Sequence, residues 1–201
     1  MKKIKNIKCV LVGDTKSGKT ALLYTLSKGI FPTQHLPTVI NNVNVRWTFE
    51  DYQTTICFWD TPGHDNMKNG NNSDLTTGYG LRVASYQNAD VVIVAFPLHK
   101  SSSLHRVRDK WHQELKAHCP NAPIILVGTN MDKRDHFNQT DCSLVFKNFI
   151  TADEVVDYKN GLRVAKEIGA MKYLETSAQF KIGFEDLYNE ICQLVIKRNA
   201  T

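Results

Sequence analysis

No stretch of the chain reaches the roughly 20 consecutive apolar residues that a membrane-crossing helix needs. The opening residues Met1-Lys2-Lys3-Ile4-Lys5 lack the apolar core of a secretory leader, so neither a spanning nor an exported protein is expected. Cysteine pairs at C-x-x-C spacing are absent too. The five cysteines are odd in number, and Cys9, Cys57 and Cys192 sit in strand-like or helix-like runs, which suits reduced, buried thiols of a cytosolic chain and speaks against a disulfide framework. None of the seven histidines has zinc-ligand spacing; His105 and His112 fall two turns apart on one expected helix, where surface placement explains them, and no metal is assigned to them. A dense basic run is also missing. The net charge of +5 is spread out, with its densest clusters at Lys2-Lys3, Lys5, Lys8 and Lys197-Arg198, so no nucleic-acid groove is indicated. No Pro- or Ser-rich linker divides the 201 residues, and one α/β domain over residues 1–201 is expected.

What the chain does have is Gly13-Asp14-Thr15-Lys16-Ser17-Gly18-Lys19-Thr20, between the apolar run Cys9-Val10-Leu11-Val12 and the helix-like Ala21-Leu22-Leu23-Tyr24-Thr25-Leu26. This is G-x-x-x-x-G-K-[ST], the phosphate loop, in its strand-loop-helix setting. Glycines let the backbone curl so that several N–H groups and a helix N-terminus converge on phosphate, and Lys19 adds a positive charge. Thr20 offers a hydroxyl to Mg²⁺. A glycine-rich turn that happens to contain Lys-Thr is the competing reading, and the full spacing and flanks disfavour it.

The remaining elements follow in order. Ile7–Val12 reads as a buried strand and Lys19–Lys28 as a helix ended by Gly29. Residues 30–39, broken by Pro32 and Pro37, form a loop leaving the phosphate site. Val43–Phe49 and Thr54–Trp59 form an antiparallel pair, the second strand ending in Asp60-Thr61-Pro62-Gly63. A carboxylate at that strand end is the arrangement that holds Mg²⁺. D-x-x-G is weak by itself and gains meaning after a phosphate loop and two strands. His64–Tyr86, rich in Asn and Gly, is expected to be a loop with at most one short helix. Val91–Phe96 is a strand buried on both faces. Ser101–Ser103 can cap a helix with Leu104, Val107, Trp111 and Leu115 on one face, Trp111 being core.

Ile124–Gly128 is another buried strand, delivering Thr129-Asn130-Met131-Asp132 to the sheet end that carries the phosphate loop, where open α/β sheets bind ligands. Asp132 is the carboxylate best placed to accept the two N–H donors on a guanine edge, a pair that adenine lacks; a solvated turn with Lys133 and Arg134 is the bland alternative. Phe137–Tyr158 reads as an insertion before a helix at Asn160–Ile168. Met171–Leu174 is the last strand. Glu175-Thr176-Ser177-Ala178 follows as a loop whose N–H groups can meet a purine carbonyl, and Phe184, Leu187, Tyr188, Ile191, Leu194 and Val195 mark a closing helix.

Together the phosphate loop, Pro37-Thr38-Val39, Trp59-Asp60-Thr61-Pro62-Gly63, Thr129-Asn130-Met131-Asp132 and Glu175-Thr176-Ser177-Ala178 resemble the five guanine-nucleotide motifs of Ras-superfamily small GTPases, in order and spacing, over nearly the whole chain. Phe31-Pro32, Leu81-Arg82, Ser85-Tyr86, Thr129 and the extra segment, about 136–158, are similar to the Rho branch. The resemblance implies the α/β P-loop NTPase fold of small G proteins, a mostly parallel six-stranded sheet flanked by helices. It also implies GTP/GDP and Mg²⁺ as ligands, with the nucleotide on Gly13, Asp14, Thr15, Lys16, Ser17, Gly18, Lys19, Thr20 and Ala21 and the metal on Thr20, Thr38 and Asp60. Phe31 would lie against the guanine, Thr38 would reach the γ-phosphate, and the Gly63 N–H would sense it. Thr129, Asn130, Asp132, Ser177 and Ala178 complete the base site. Effectors and exchange factors would use residues 31–43 and 63–86.

Several positions depart from the family pattern. Thr15 replaces a second glycine, and its β-branched bulk crowds the γ-phosphate and any arginine supplied by an activating protein. His64 stands for the glutamine that orients the attacking water. The catalytic positions Thr15, Gly63 and His64 therefore imply slow hydrolysis and a mostly GTP-loaded protein, whether a weak switch or a GTPase-deficient binding module. Asn130 replaces a lysine that covers the base, and Ile40, Asn41 and Val43 alter the first switch. A P-loop kinase or ATPase is disfavoured by Asp132 and Ser177-Ala178. The final residues Lys197-Arg198-Asn199-Ala200-Thr201 carry no prenylation signal; cytoplasmic residence is expected, peripheral to a membrane if a lipidated tail follows.

Overall fold

Alternating burial along the strands sets the architecture. In the computed structural model, which describes residues 3–34, 42–63, 78–138 and 155–198, the six strands are β1 (Lys3–Val12), β2 (Asn42–Phe49), β3 (Tyr52–Asp60), β4 (Val91–Pro97), β5 (Ile124–Thr129) and β6 (Lys172–Glu175). They form one sheet in the order β2-β3-β1-β4-β5-β6. Only the β2–β3 pair is antiparallel; β1 runs parallel to β3 and β4, and β5 parallel to β4 and β6. Every residue of β4 is buried, as a central parallel strand covered on both faces requires.

The described helices are α1 (Lys19–Lys28), α2 (Gly78–Ser85), α3 (Ser101–Arg106), α4 (His112–His118), α5 (Met131–Asn138), α6 (Tyr158–Glu167) and α7 (Phe184–Arg198), with a π-helical turn, Val107–Trp111, between α3 and α4. One face of the sheet, through Ile7, Cys9, Leu11, Ile56 and Phe58, packs on Leu22, Leu23 and Leu26 of α1 and on Leu187 and Ile191 of α7. The other face, through Val10, Val12, Val92, Val94 and Phe96, packs on Leu104, Val107, Trp111 and Leu115 and on Val164 of α6. Adjacent residues of one strand thus enter opposite cores, the period-2 rule at work.

The α/β class, the antiparallel pair and the six strands match the sequence reading. Boundaries differ where tertiary contact or capping decides them. β1 starts at Lys3 because pairing with Tyr52 of β3 continues past the buried part. α6 starts at Tyr158, two residues early, because the Asp157 carboxylate accepts from Asn160 N at 2.7 Å and caps the helix. The expected single helix after Ser101 exists, but its middle turn is widened. Asn130 leads directly from β5 into α5, a helix that the sequence pattern did not announce. Thr38, His64 and most of the 136–158 segment lie outside the described residues, as does the first part of the 64–86 loop; its last part is α2. Among the described residues no helix is long and apolar enough to cross a membrane.

Candidate functional site: a phosphate cradle at the carboxyl ends of the strands

The loop after β1 is shaped by close approach. Gly13 has φ +145, and a Cβ there would stand 2.1 Å from the Ala95 carbonyl oxygen, so only glycine fits. Lys19, at the start of α1 and 4% exposed, donates through Nζ to the Gly13 and Asp14 carbonyls at 2.8 Å each and to Ser17 Oγ at 3.3 Å. Burial pulls its pKa down from 10.5 to about 8, opposed by the charges of Asp60 and Asp14. A buried ammonium whose hydrogen-bond partners are two carbonyls and one hydroxyl is a group on which an anion such as phosphate fits.

Thr20 Oγ1 donates to Asp60 Oδ2 at 2.6 Å. Burial raises the Asp60 pKa, against the Thr20 hydroxyl, the Lys19 charge and the Thr61 N–H. The other oxygen, Asp60 Oδ1, is buried with no hydrogen-bond partner. A buried carboxylate oxygen without a donor costs free energy. Beside a threonine hydroxyl it fits a small hard cation such as Mg²⁺, which takes oxygen ligands and keeps water in its shell. Thr20 and Asp60 are therefore the described residues that would hold the metal.

The base end is tied to the loop by side chains. Thr129 Oγ1 donates to the Ser17 carbonyl at 2.6 Å and lies 3.1 Å from that of Phe96, clamping the end of β5 to the phosphate loop. Asn130 takes φ +55, its amide nitrogen beside Gly18. Asp132 lies in the first turn of α5, where its Oδ1 accepts from Ser177 Oγ at 2.6 Å. Ser177 Oγ also accepts from Phe180 N at 3.2 Å, and Met131 N donates to the Thr176 carbonyl at 3.1 Å. The two base motifs, 45 residues apart, thus form one edge. The structure brings together Gly13–Thr20, Asp60, Thr129, Asn130, Asp132 and Ser177; Ala21 and Ala178 are half-buried beside them, and Phe31 is exposed after α1.

Other residues escaped the sequence reading. The Asp14 carboxylate accepts from Trp111 Nε1 at 2.9 Å and from Ser103 Oγ at 2.8 Å, and Arg106 Nε lies 3.1 Å away. Arg82 of α2, fully buried, pairs with both Glu114 oxygens at 2.7 and 2.8 Å, donates to the Pro62 carbonyl at 2.8 Å and stacks against Tyr79 and Trp111. Trp111 is core, as its sequence spacing suggested, yet it also carries a polar contact. A buried indole N–H needs an acceptor, which is the one local signal for these networks.

Known proteins offer an independent line. A Ras family sequence model matches residues 8–197. The chain is 34% identical over 183 residues to the GTP-binding protein RHO2 of Saccharomyces cerevisiae, covering 90% of this chain and 84% of that one. The match runs from β1 into the last turn of α7, through every loop that builds the cradle. The chain belongs to the Ras family, as a Rho-like small GTPase.

Proposed function

We propose that the protein is a Mg²⁺-dependent guanine-nucleotide switch that hydrolyses GTP slowly and stays largely GTP-loaded. One observation carries the reading. Thr15 is exposed on the loop, and Gly63 lies so close to it that a Cβ on Gly63 would stand 2.3 Å from Thr15 N. A β-branched side chain therefore stands at the edge where terminal phosphate, attacking water and an incoming arginine would meet. His64, in place of a water-orienting glutamine, adds to this.

The chain's own groups have defined tasks in this reading. Lys19 and the loop N–H groups hold the phosphates. Thr20, Asp60 and Thr38 hold Mg²⁺, which when bound neutralises charge on the phosphate oxygens. The Gly63 N–H senses the terminal phosphate. Asp132 accepts from the guanine edge, Ser177 Oγ fixes the orientation of Asp132, and the Ser177 and Ala178 N–H groups meet the purine carbonyl. Thr129 and Asn130 hold the base loop, and Phe31 covers the base from the first switch. Effectors and exchange factors dock on residues 31–43 and 63–86 from the cytoplasmic side, with peripheral membrane attachment if a lipidated tail follows.

Chromatography of the nucleotide released from purified protein tests the loading, and single-turnover hydrolysis tests the cause. Mostly GTP is expected, with Thr15→Gly hydrolysing faster. Mostly GDP, or an ordinary rate raised further by an activating protein, would overturn the reading.

A further inference from the structure

Asp14 is the only acid in the phosphate loop Gly13–Thr20. A carboxylate on a loop that wraps a polyphosphate repels its ligand, and more strongly when the terminal phosphate is present. In this structure the carboxylate is committed elsewhere. Both oxygens are engaged from the α3 side, Oδ2 by Ser103 Oγ and Oδ1 by Trp111 Nε1 and Arg106 Nε. Two of the donors are neutral. Arg106 alone among the described residues makes an ion pair with Asp14, and its side chain is 53% exposed. Next in sequence is the π-helical turn, whose last residue, Trp111, donates to the same carboxylate.

We propose that Arg106 is a positioning residue for the triphosphate: by pairing with Asp14 it cancels the one acidic charge of the phosphate loop and keeps that carboxylate against α3, so that GTP is favoured over GDP. This rests on the reading of the loop as a guanine-nucleotide site. The neutral donors fix where the carboxylate points, and Arg106 fixes what charge the ligand meets.

Dissociation constants of GDP and a non-hydrolysable GTP analogue, measured on the full chain at low and high salt, test this. Arg106→Gln is expected to weaken the GTP analogue about tenfold and GDP less than about threefold, with the difference shrinking at high salt. Arg106→Lys keeps most of the preference. Asp14→Asn combined with Arg106→Gln restores the wild-type ratio, a rescue that a purely structural role of Arg106 would not give. Arg106 is half exposed, so its variants are expected to fold, and thermal midpoints of all four proteins confirm it. Equal weakening of both nucleotides, an unchanged ratio, or no rescue by Asp14→Asn would overturn the proposal. Failure of the wild-type protein to bind either nucleotide would instead overturn the functional reading beneath it.

Discussion

Lys19 offers a test in which proton number reports the chemistry of the cradle. In this structure its ammonium is buried among carbonyl and hydroxyl oxygens, and its pKa falls from 10.5 to about 8. Phosphate oxygens against the ammonium raise it again, so binding takes up a proton wherever the empty site is partly neutral. At pH 8 about half a proton should be taken up per nucleotide bound, about 0.1 at pH 7 and about 0.9 at pH 9. Affinity should begin to fall above pH 8, approaching about tenfold per pH unit. The linkage to stability has the matching sign. The folded pKa lies below the unfolded one, so between pH 8 and 10.5 the unfolded chain binds more protons, and this group's contribution to the empty protein's stability rises with pH across that window. Below pH 8 the burial penalty is present in full. Titration calorimetry of nucleotide-depleted protein at pH 7, 8 and 9, in two buffers of different ionisation enthalpy, counts the protons. Uptake of less than about 0.1 proton at both pH 8 and pH 9 would refute the argument, because it would mean that Lys19 keeps its charge in the empty loop.

Arg82→Met should cost about 3–5 kcal/mol, since it removes the counter-charge of the buried Glu114 carboxylate and leaves it the Tyr86 hydroxyl as donor. At fixed nucleotide concentration, the thermal midpoint should fall by roughly 6–20 °C, while Arg82→Met with Glu114→Leu should lose less than half as much; equal losses would show that the ion pair is not what holds α2. Asp132→Asn should move preference from guanosine toward xanthosine nucleotides in competition binding, and unchanged preference would remove Asp132 from the base site. Gly63→Ala, whose methyl would meet Thr15 N at 2.3 Å and the Asp14 carbonyl carbon at 2.4 Å, should cost about 1–3 kcal/mol in urea unfolding; a neutral result would mean that the two loops are not in contact.

The sheet was legible because its signals are local. Val91–Phe96 is continuous and apolar, Val43–Phe49 alternates, and Gly13–Thr20 has a spacing with few other uses. What the sequence hid is held by pairs distant along the chain. Asp14 meets Ser103 and Trp111, 89 and 97 residues away, and Arg82 meets Glu114 across 32. Trp111 illustrates the limit: its helical spacing marks it as core, which it is, but hydrophobic periodicity says nothing about where an indole N–H points. The turn around Val107 has no glycine or proline to announce its widening. Asn130 and Asp132 follow strand β5, as the sequence order required, but Asp132 sits in the first turn of α5, a helix with no apolar face to announce it.

The helical segment from Ser101 to His118 has a mechanical consequence. It is one rod, about 27 Å long at an ordinary helical rise, fastened near one end to the phosphate loop through Ser103, Arg106 and Trp111. Farther along, Glu114 grips Arg82 and the His118 ring meets the Tyr79 hydroxyl at 2.8 Å. A stiff body pinned at two stations removes a degree of freedom from whatever it joins. A displacement of α2 must then either break the buried Arg82–Glu114 pair or be transmitted, nearly undiminished, to the loop that holds Lys19.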